Sequence, residues 1–379
     1  MIKNVCIVTD YYPPHIGGQE ILFQKIAQGI AERGINCFVI TTKTFYSDKT
    51  VESKNDLTII RISVPNFLPR FWFAILSMPK ILSLRKNIDI IHGTSYGGVL
   101  PVFFTAKLLK KKSIITIHEF MGEKWKEFES NPFSAWFYST AETFITKMPF
   151  DRFIAVSNYT QLQLKSYGIN DDRINLIYNG SNDDVLKIKL NNSFLRKELG
   201  FNENDFIFLA CGRAGLTKGI QYFIEAMPAI IKNIENAKFI FILSKADKRI
   251  WERIMTGLKK IDKNKFKLFS QLERKELIRY LHLSDCIVIP SLSEGFGFNV
   301  VEASLLNKKI VATNTGSIPE VISGYYILVE PGSPAALVDG CIKAYNNDLQ
   351  YAKPKNFSWD ITIDKYIKIY SELFNNQQE

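Results

Sequence analysis

Residues 286–306 read CIVIPSLSEGFGFNVVEASLL, and this stretch decides the fold. Cys286–Ile289 is an apolar run of strand length, and Phe298–Leu306 is helix-like. The loop between them holds Glu294, Gly295 and Gly297. A strand passing through a glycine loop into a helix is the repeating unit of a parallel sheet with crossover helices.

The same alternation extends in both directions. Downstream, Ile310–Thr313 is a further strand. Upstream, Phe206–Cys211 and Phe239–Leu243 are strands, and Arg274–Leu283 is a helix. Lys218–Lys232 places Ile220, Phe223, Ile224, Met227, Ile230 and Ile231 on one helical face. A polar stretch from Gly180 to about Asn192 interrupts the pattern. Before it come strands at Asn4–Thr9, Cys37–Thr41, Ile88–His92, Ser113–Ile117 and Phe153–Val156. Glu20–Arg33 and Gly98–Lys110 are helical, Gly34 is a C-cap and Ser157 an N-cap. Two doubly wound α/β domains follow: residues 1–180, residues 181–355, and a C-terminal helix over 356–379 that packs back toward the first domain.

Composition agrees. The 379 residues are 46% hydrophobic and 23% charged, which excludes a disordered chain or a small disulfide scaffold. The five cysteines are scattered without C-x-x-C, as in a reduced cytoplasmic protein. No signal peptide is read, and no apolar run approaches the roughly 18 residues of a membrane span. The net charge is +10, and the window Arg61–Lys126 holds eleven basic residues against Asp89, Glu119 and Glu123. Such a window attracts anions or is simply a solvated face.

Ligands of doubly wound sheets sit at strand carboxyl ends, and the candidate residues cluster there. Glu294 and Glu302 flank exposed backbone N–H groups at a helix start. Carboxylates suit sugar hydroxyls, and the helix start suits phosphate. Gly212–Gly219 (GRAGLTKG) carries Arg213 and Lys218 around a turn able to hold a pyrophosphate. Gly17 and Gly18 open a helix after the first strand, and His118 ends another strand. Gly93–Gly97 (GTSYG) matches a nucleophile elbow at Ser95, the basis of a serine-hydrolase alternative. The four histidines lack H-x-x-x-H spacing and no D-x-D occurs, so no metal site is expected.

The strings YYPPHIGGQE, SIITIHEF, IAVSNYT, IYNG, GRAGLTKG, IPSLSEGFGFNVVEA, VATNTGSIPEVI and FSWDITIDKYIKIY occur in that order over nearly the whole chain. In this it resembles the retaining GT-B glycosyltransferases of family 4. The resemblance implies two Rossmann-like domains facing across a cleft, with a nucleotide-diphosphate sugar held mainly by the second. It implies that Arg213 and Lys218 grip the diphosphate, that Glu302 meets the ribose and that Glu294 meets the transferred sugar. Backbone at Phe296, Gly297 and Phe298 would hold sugar and phosphate, and Ser270 and Leu272 would meet the base. Gly17 and Gly18 would close on the diphosphate, and His118 would contact the donor sugar. Two departures stand out: His118-Glu119 replaces the usual His-Asp, and Ser244-Lys245-Ala246-Asp247 replaces a glycine pair.

The expected activity is retaining transfer of a hexose to a glycan or lipid-linked acceptor in cell-surface glycan biosynthesis, with no cofactor, metal or nucleic acid. A sugar-nucleotide epimerase is the alternative of the same architecture. Asn66–Lys86 (NFLPRFWFAILSMPKILSLRK) sets aromatic and aliphatic residues beside Arg70, Lys80, Arg85 and Lys86. It is either a docking segment for anionic lipid on the inner membrane face or a core helix with a solvated basic edge.

Overall fold

A computed structural model describes residues 2–15, 17–45, 48–128, 131–181, 192–270 and 272–377. The chain divides into two units, Met1–Gly180 with Phe357–Glu379, and Ser181–Asn356.

In unit 1 the strands are β1 (Asn4–Val8), β2 (Asn36–Thr42), β3 (Val51–Lys54), β4 (Leu57–Ile62), β5 (Ile90–Thr94), β6 (Lys112–Ile117), β7 (Arg152–Ala155) and β8 (Ile174–Leu176). Their order is β3-β4-β2-β1-β5-β6-β7-β8. All neighbours are parallel except β3 and β4, which pair antiparallel at the edge. The helices are α1 (Gly18–Ala31), α2 (Pro69–Ser83), α3 (Val99–Leu109), α4 (Trp125–Phe128), α5 (Pro132–Lys147) and α6 (Asn158–Ser166). Phe73 and Ile81 of α2, Val102 and Ala106 of α3, Ile145 of α5 and Leu164 of α6 share one core with Val8, Ile91, Ile115 and Phe153. These helices therefore cover the same sheet face, as right-handed crossovers running in one direction require. Helix α1 ends at Gly34, whose φ of 75° is the left-handed conformation of a glycine stop.

Unit 2 contains β9 (Phe206–Ala214), β10 (Ala237–Lys245), β11 (Phe266–Phe269), β12 (Cys286–Ile289), β13 (Lys309–Thr313), β14 (Gly324–Val329) and β15 (Gln350–Ala352). Its helices are α7 (Asn192–Glu198), α8 (Ile220–Asn233), α9 (Lys248–Leu258), α10 (Arg274–Leu283), α11 (Phe298–Leu305), α12 (Ile318–Val321) and α13 (Pro334–Tyr345). The order β11-β10-β9-β12-β13-β14-β15 is parallel up to β14, and β15 is antiparallel. Phe223 of α8 packs on Phe239 and Phe241 of β10, and Phe208 of β9 stacks on Phe239. Each such fully buried ring is worth roughly 1.5–3 kcal/mol.

The last helix, α14 (Trp359–Asn375), belongs to unit 1. Its apolar stripe buries Tyr366 and Tyr370. Tyr370 OH bonds His92 Nδ1 at 2.7 Å, and Thr362 Oγ1 donates to Tyr178 O at 2.8 Å. Gly180 is pressed against Trp359, where a Cβ would lie 2.3 Å from the indole.

Both sheets reverse direction at a fixed place. Successive strands run outward from β1 through β2 on one side and from β5 on the other. In unit 2 the division falls between β9 and β12. These are topological switch points, where a crevice opens at strand carboxyl ends. The strands that the apolar pattern does not reveal, β3, β4, β8, β11, β14 and β15, lie at or next to the sheet edges. Residues 51–62 form a hairpin-like edge whose outer strand VESK is largely exposed, so it carries no apolar run.

Candidate active site

In unit 2, the loops after β9 and β12 are tied by backbone hydrogen bonds. Leu292 N and Ser293 N both donate to Thr217 O, at 2.7 and 3.3 Å. Gly219 has a φ of 61°, and a Cβ there would lie 1.9 Å from Pro290 O, so only glycine permits this approach. The turn before it brings Lys218 over the neighbouring loop. Lys218 Nζ meets Glu294 Oε1 at 2.5 Å, and Ser291 Oγ donates to the same oxygen at 2.9 Å. From the third loop, Ser317 N and Oγ both donate to Glu294 O, at 3.0 and 3.1 Å. Gly316, at φ 56°, packs its backbone on Glu294. Glu294 is thus positioned through its side chain and its main chain.

Gly297, at φ 82°, is the N-cap of α11. Asn299 Nδ2 donates to Cys211 O at 3.0 Å and pins the first turn of α11 to β9. Phe296 is buried and meets Phe298 edge-on at 5.2 Å. Glu302, one turn in, is buried and pairs with Arg274 Nη2 at 2.7 Å. Arg213 is exposed at the end of β9 and has no ion-pair partner among the described residues. Arg213, Lys218, Glu294 and Glu302 therefore gather at the β9/β12 switch point. Ser270 and Leu272 lie beyond β11, two strands from β9. Arg274 starts the helix that follows them, and its ion pair links that stretch to α11. The Ser244–Asp247 loop ends in a helix cap, with Asp247 Oδ1 accepting from Ile250 N at 3.0 Å.

In unit 1, Gly17 is the N-cap of α1 in an extended conformation. A Cβ on it would lie 2.2 Å from Glu20 Oε2. The buried Glu20 carboxylate thus folds back over the helix start, where its negative charge suits the free N–H groups. His15 Nδ1 bonds Glu20 Oε1 at 2.8 Å. Asp10, at the end of β1, is buried and meets Arg70 Nε and Gln19 Nε2, each at 3.0 Å. Burial raises the Asp10 pKa, opposed by the Arg70 charge. His118 ends β6 with its Nε2 buried and without a hydrogen-bond partner. Burial pushes its pKa down to about 4, opposed by Glu20, so its ring is neutral near pH 7.

Several residues here lie outside the sequence motifs. The fully buried Glu142 accepts from Tyr96 OH at 2.7 Å, Gly122 N at 2.8 Å, Trp125 Nε1 at 3.0 Å and Met121 N at 3.1 Å. It fastens the segment after His118 to the loop after β5. Arg274 lies outside the motifs too: its pairing with Glu302 joins two helices, and no spacing rule reports it.

The hydrolase alternative does not fit. Ser95 is buried, its N–H donates to Thr116 O at 3.0 Å, and the left-handed residue is Tyr96, at φ 68°. A nucleophile elbow instead raises its serine exposed on the strained residue. Among the described residues, no group of three or more His, Cys, Asp or Glu is placed to hold a metal ion, and no helix is long and apolar enough to cross a membrane.

Two family models divide the chain between them: Glycosyltransferase Family 4 matches residues 16–185, and Glycosyl transferases group 1 matches residues 191–358. The chain belongs to the group 1 glycosyltransferases. A glycosyltransferase of Methanocaldococcus jannaschii, itself uncharacterised, is 27% identical over 98% of this chain and 99% of its own. Sucrose-phosphate synthase from Thermosynechococcus elongatus superposes with a TM-score of 0.79 at 18% identity, covering 99% of this chain and 100% of its own. Anabaena HepE, solved in complex with UDP-glucose, gives a TM-score of 0.73 at 16% identity, covering 97% of this chain and 99% of its own. The two units of this glycosyltransferase have the GT-B architecture.

Proposed function

We propose that this glycosyltransferase moves a hexose from a nucleotide-diphosphate sugar to a glycan or lipid-linked acceptor, with retention, in cell-surface glycan biosynthesis on the cytoplasmic side of the membrane. The observation that carries the proposal is the convergence of Arg213, the Lys218–Glu294 pair and the Arg274–Glu302 pair at the β9/β12 switch point. A diphosphate arriving there competes with Glu294 for Lys218. The carboxylate it releases is then available to a sugar hydroxyl. Glu302 suits ribose hydroxyls, and the glycine start of α11 offers N–H groups to sugar and phosphate at Phe296–Phe298. Ser270 and Leu272 fall to the base. The HepE complex supports the same donor class.

In the reaction, the bond between the anomeric carbon and the phosphate oxygen breaks, and its electron pair stays with the diphosphate. Arg213 and Lys218 stabilise the charge that develops there. The acceptor oxygen bonds to the same face of the anomeric carbon, and its proton passes to a departing phosphate oxygen. We assign Gly17, Gly18 and the neutral His118 to donor binding as well, and propose no metal or other cofactor. The epimerase alternative calls for a paired acid and base, whereas the two carboxylates at the switch point, Glu294 and Glu302, each face a cation.

A thermal-shift panel of UDP, GDP, ADP, CMP and their sugars tests the reading on wild type and Lys218→Ala. A ligand at about 100 times its Kd stabilises by roughly 2.7 kcal/mol. A shift with one nucleotide that weakens in Lys218→Ala supports the donor site. A shift unchanged in Lys218→Ala removes Lys218 from it, and no shift with any nucleotide refutes the donor class.

A further inference from the structure

The structure assigns the outer face of α2, α3 and α5 to an anionic membrane surface. The three helices cover one face of the unit 1 sheet through a shared core, with α2 packed directly against α3. Their opposite sides are strongly apolar and are not covered. On α3, Leu100, Phe104 and Leu108 recur every fourth residue, a single stripe, and all are exposed. On α5, Phe133, Phe137 and Phe144 form a second exposed stripe, with Trp136 beside it at 60% exposure. Helix α2 adds Phe71 and Ile75. Exposed apolar groups occurring singly are ordinary, but stripes of them on three helices of one sheet face mark an interaction surface.

The charge on this face names the occupant. Helices α2 and α3 contain no Asp or Glu. The only acidic residue of α5 is Glu142, which is fully buried. Exposed cations lie at the carboxyl ends of these helices: Lys107 in the last turn of α3, Lys110 just after it, and Lys147 at the end of α5. Aromatic side chains and lysines on helices that carry no exposed acid of their own match an interface of acyl chains beneath anionic headgroups; the exposed Glu123 and Glu127 lie on the neighbouring segment that packs against α5. A second copy of the chain is disfavoured, because it would set these lysines against each other with no carboxylate on the three helices to pair with them. Helix α2 is thus both things that its sequence allows, buried at Phe73, Ala74, Ser77 and Ile81 and exposed and apolar on its other side. The aromatic anchors of α5 extend that surface well beyond residues 66–86. A surface of this kind would hold the enzyme where a lipid-linked acceptor lies, and its existence does not depend on the donor assignment.

The test is co-sedimentation of the full chain with phosphatidylcholine vesicles, with and without about one-third phosphatidylglycerol. Binding is expected on the anionic vesicles, at least about tenfold weaker on neutral ones, and reduced in about 0.5 M salt. Phe133→Ser with Phe137→Ser, and separately Lys107→Glu with Lys110→Glu, should each weaken it about tenfold. Lys260→Glu with Lys263→Glu, on unit 2, should leave it unchanged. Unliganded melting temperatures of the same preparations show that each variant is folded, and nucleotide thermal shifts on them keep this result separate from the donor reading. No binding to anionic vesicles overturns the proposal. So does binding indifferent to the α3 and α5 variants, or a dimer in light scattering that Phe133→Ser with Phe137→Ser dissolves.

Discussion

At the carboxyl ends of β9 and β12, Glu294 and Glu302 each face a cation. In unit 1, His92 in the middle of β5 and Glu142 on α5 are buried among uncharged partners: tyrosine and threonine hydroxyls, an indole and backbone N–H groups. Unit 1 has its own ion pair, Asp10–Arg70 after β1, but these two buried groups of unit 1 differ from the unit 2 carboxylates in meeting no opposite charge. On the donor reading proposed above, a diphosphate takes the place of Glu294 on Lys218, so that the cation meets a negative charge before and after. The unit 1 network has no such exchange available. Removing one member strands buried donors, so it serves position rather than ligand charge.

Glu294→Ala is the sharpest way to break this comparison. It should lower kcat on the order of 10³-fold, as loss of a group that stabilises the transition state does, while the melting temperature barely moves. Turnover within a few-fold of wild type would place the sugar elsewhere. On the other side, Glu142→Ala should cost about 3 kcal/mol of unit 1 stability in chemical denaturation, since four donors lose their acceptor in the core. A cost below about 1 kcal/mol would mean that water replaces the carboxylate without strain.

Acid should act on unit 1 through its histidines. Burial holds the pKa of His92 down to about 3 and that of His118 to about 4, against an ordinary 6.5. A histidine depressed by folding costs nothing above pH 6.5. Below that, the unfolded chain takes up the proton first, and stability falls until the folded pKa is reached. Melting temperature should therefore drop between pH 6.5 and 4, with Asp10, raised by burial, opposing part of it. His92→Gln should flatten the drop in part, and an equal slope in that variant would assign it to His118 or to carboxylates. Next in size, Arg274→Ala should weaken nucleotide binding about tenfold by isothermal titration, as expected for one charge-assisted contact. Unchanged affinity would reduce Arg274 to a structural partner of Glu302. The smallest effect is expected at Arg33, which bridges Asp360 and Asp364 on the surface of α14. Arg33→Ala should cost less than about 1 kcal/mol, and a larger loss would show that α14 depends on this clamp.

The central strands and their helices were legible because a parallel sheet buried on both faces needs unbroken apolar runs. Cys286–Ile289 and Arg274–Leu283 end where the sequence places them. Lys218, Glu294 and Glu302 were legible for a related reason: each lies on a short loop or first helical turn joined directly to such a strand. Arg274 was not, since its partner lies on another helix, and neither was Glu142, whose partner Tyr96 is 46 residues away. The exposed edge strand Val51–Lys54 left no apolar signature at all.

The sequence by itself determined the two α/β units, the glycines that admit close backbone approach and the charges placed at strand ends. Local backbone geometry and the period of burial are written residue by residue, so these features need no partner to be read. Only the tertiary structure decided which cation meets which carboxylate, which histidine is dehydrated, and that the stripes of α2, α3 and α5 lie on one side of one sheet. Those outcomes depend on desolvation and on distances between segments far apart in the chain. They arise only once the sheet has set the order β1-β5-β6-β7 and the helices have packed against it.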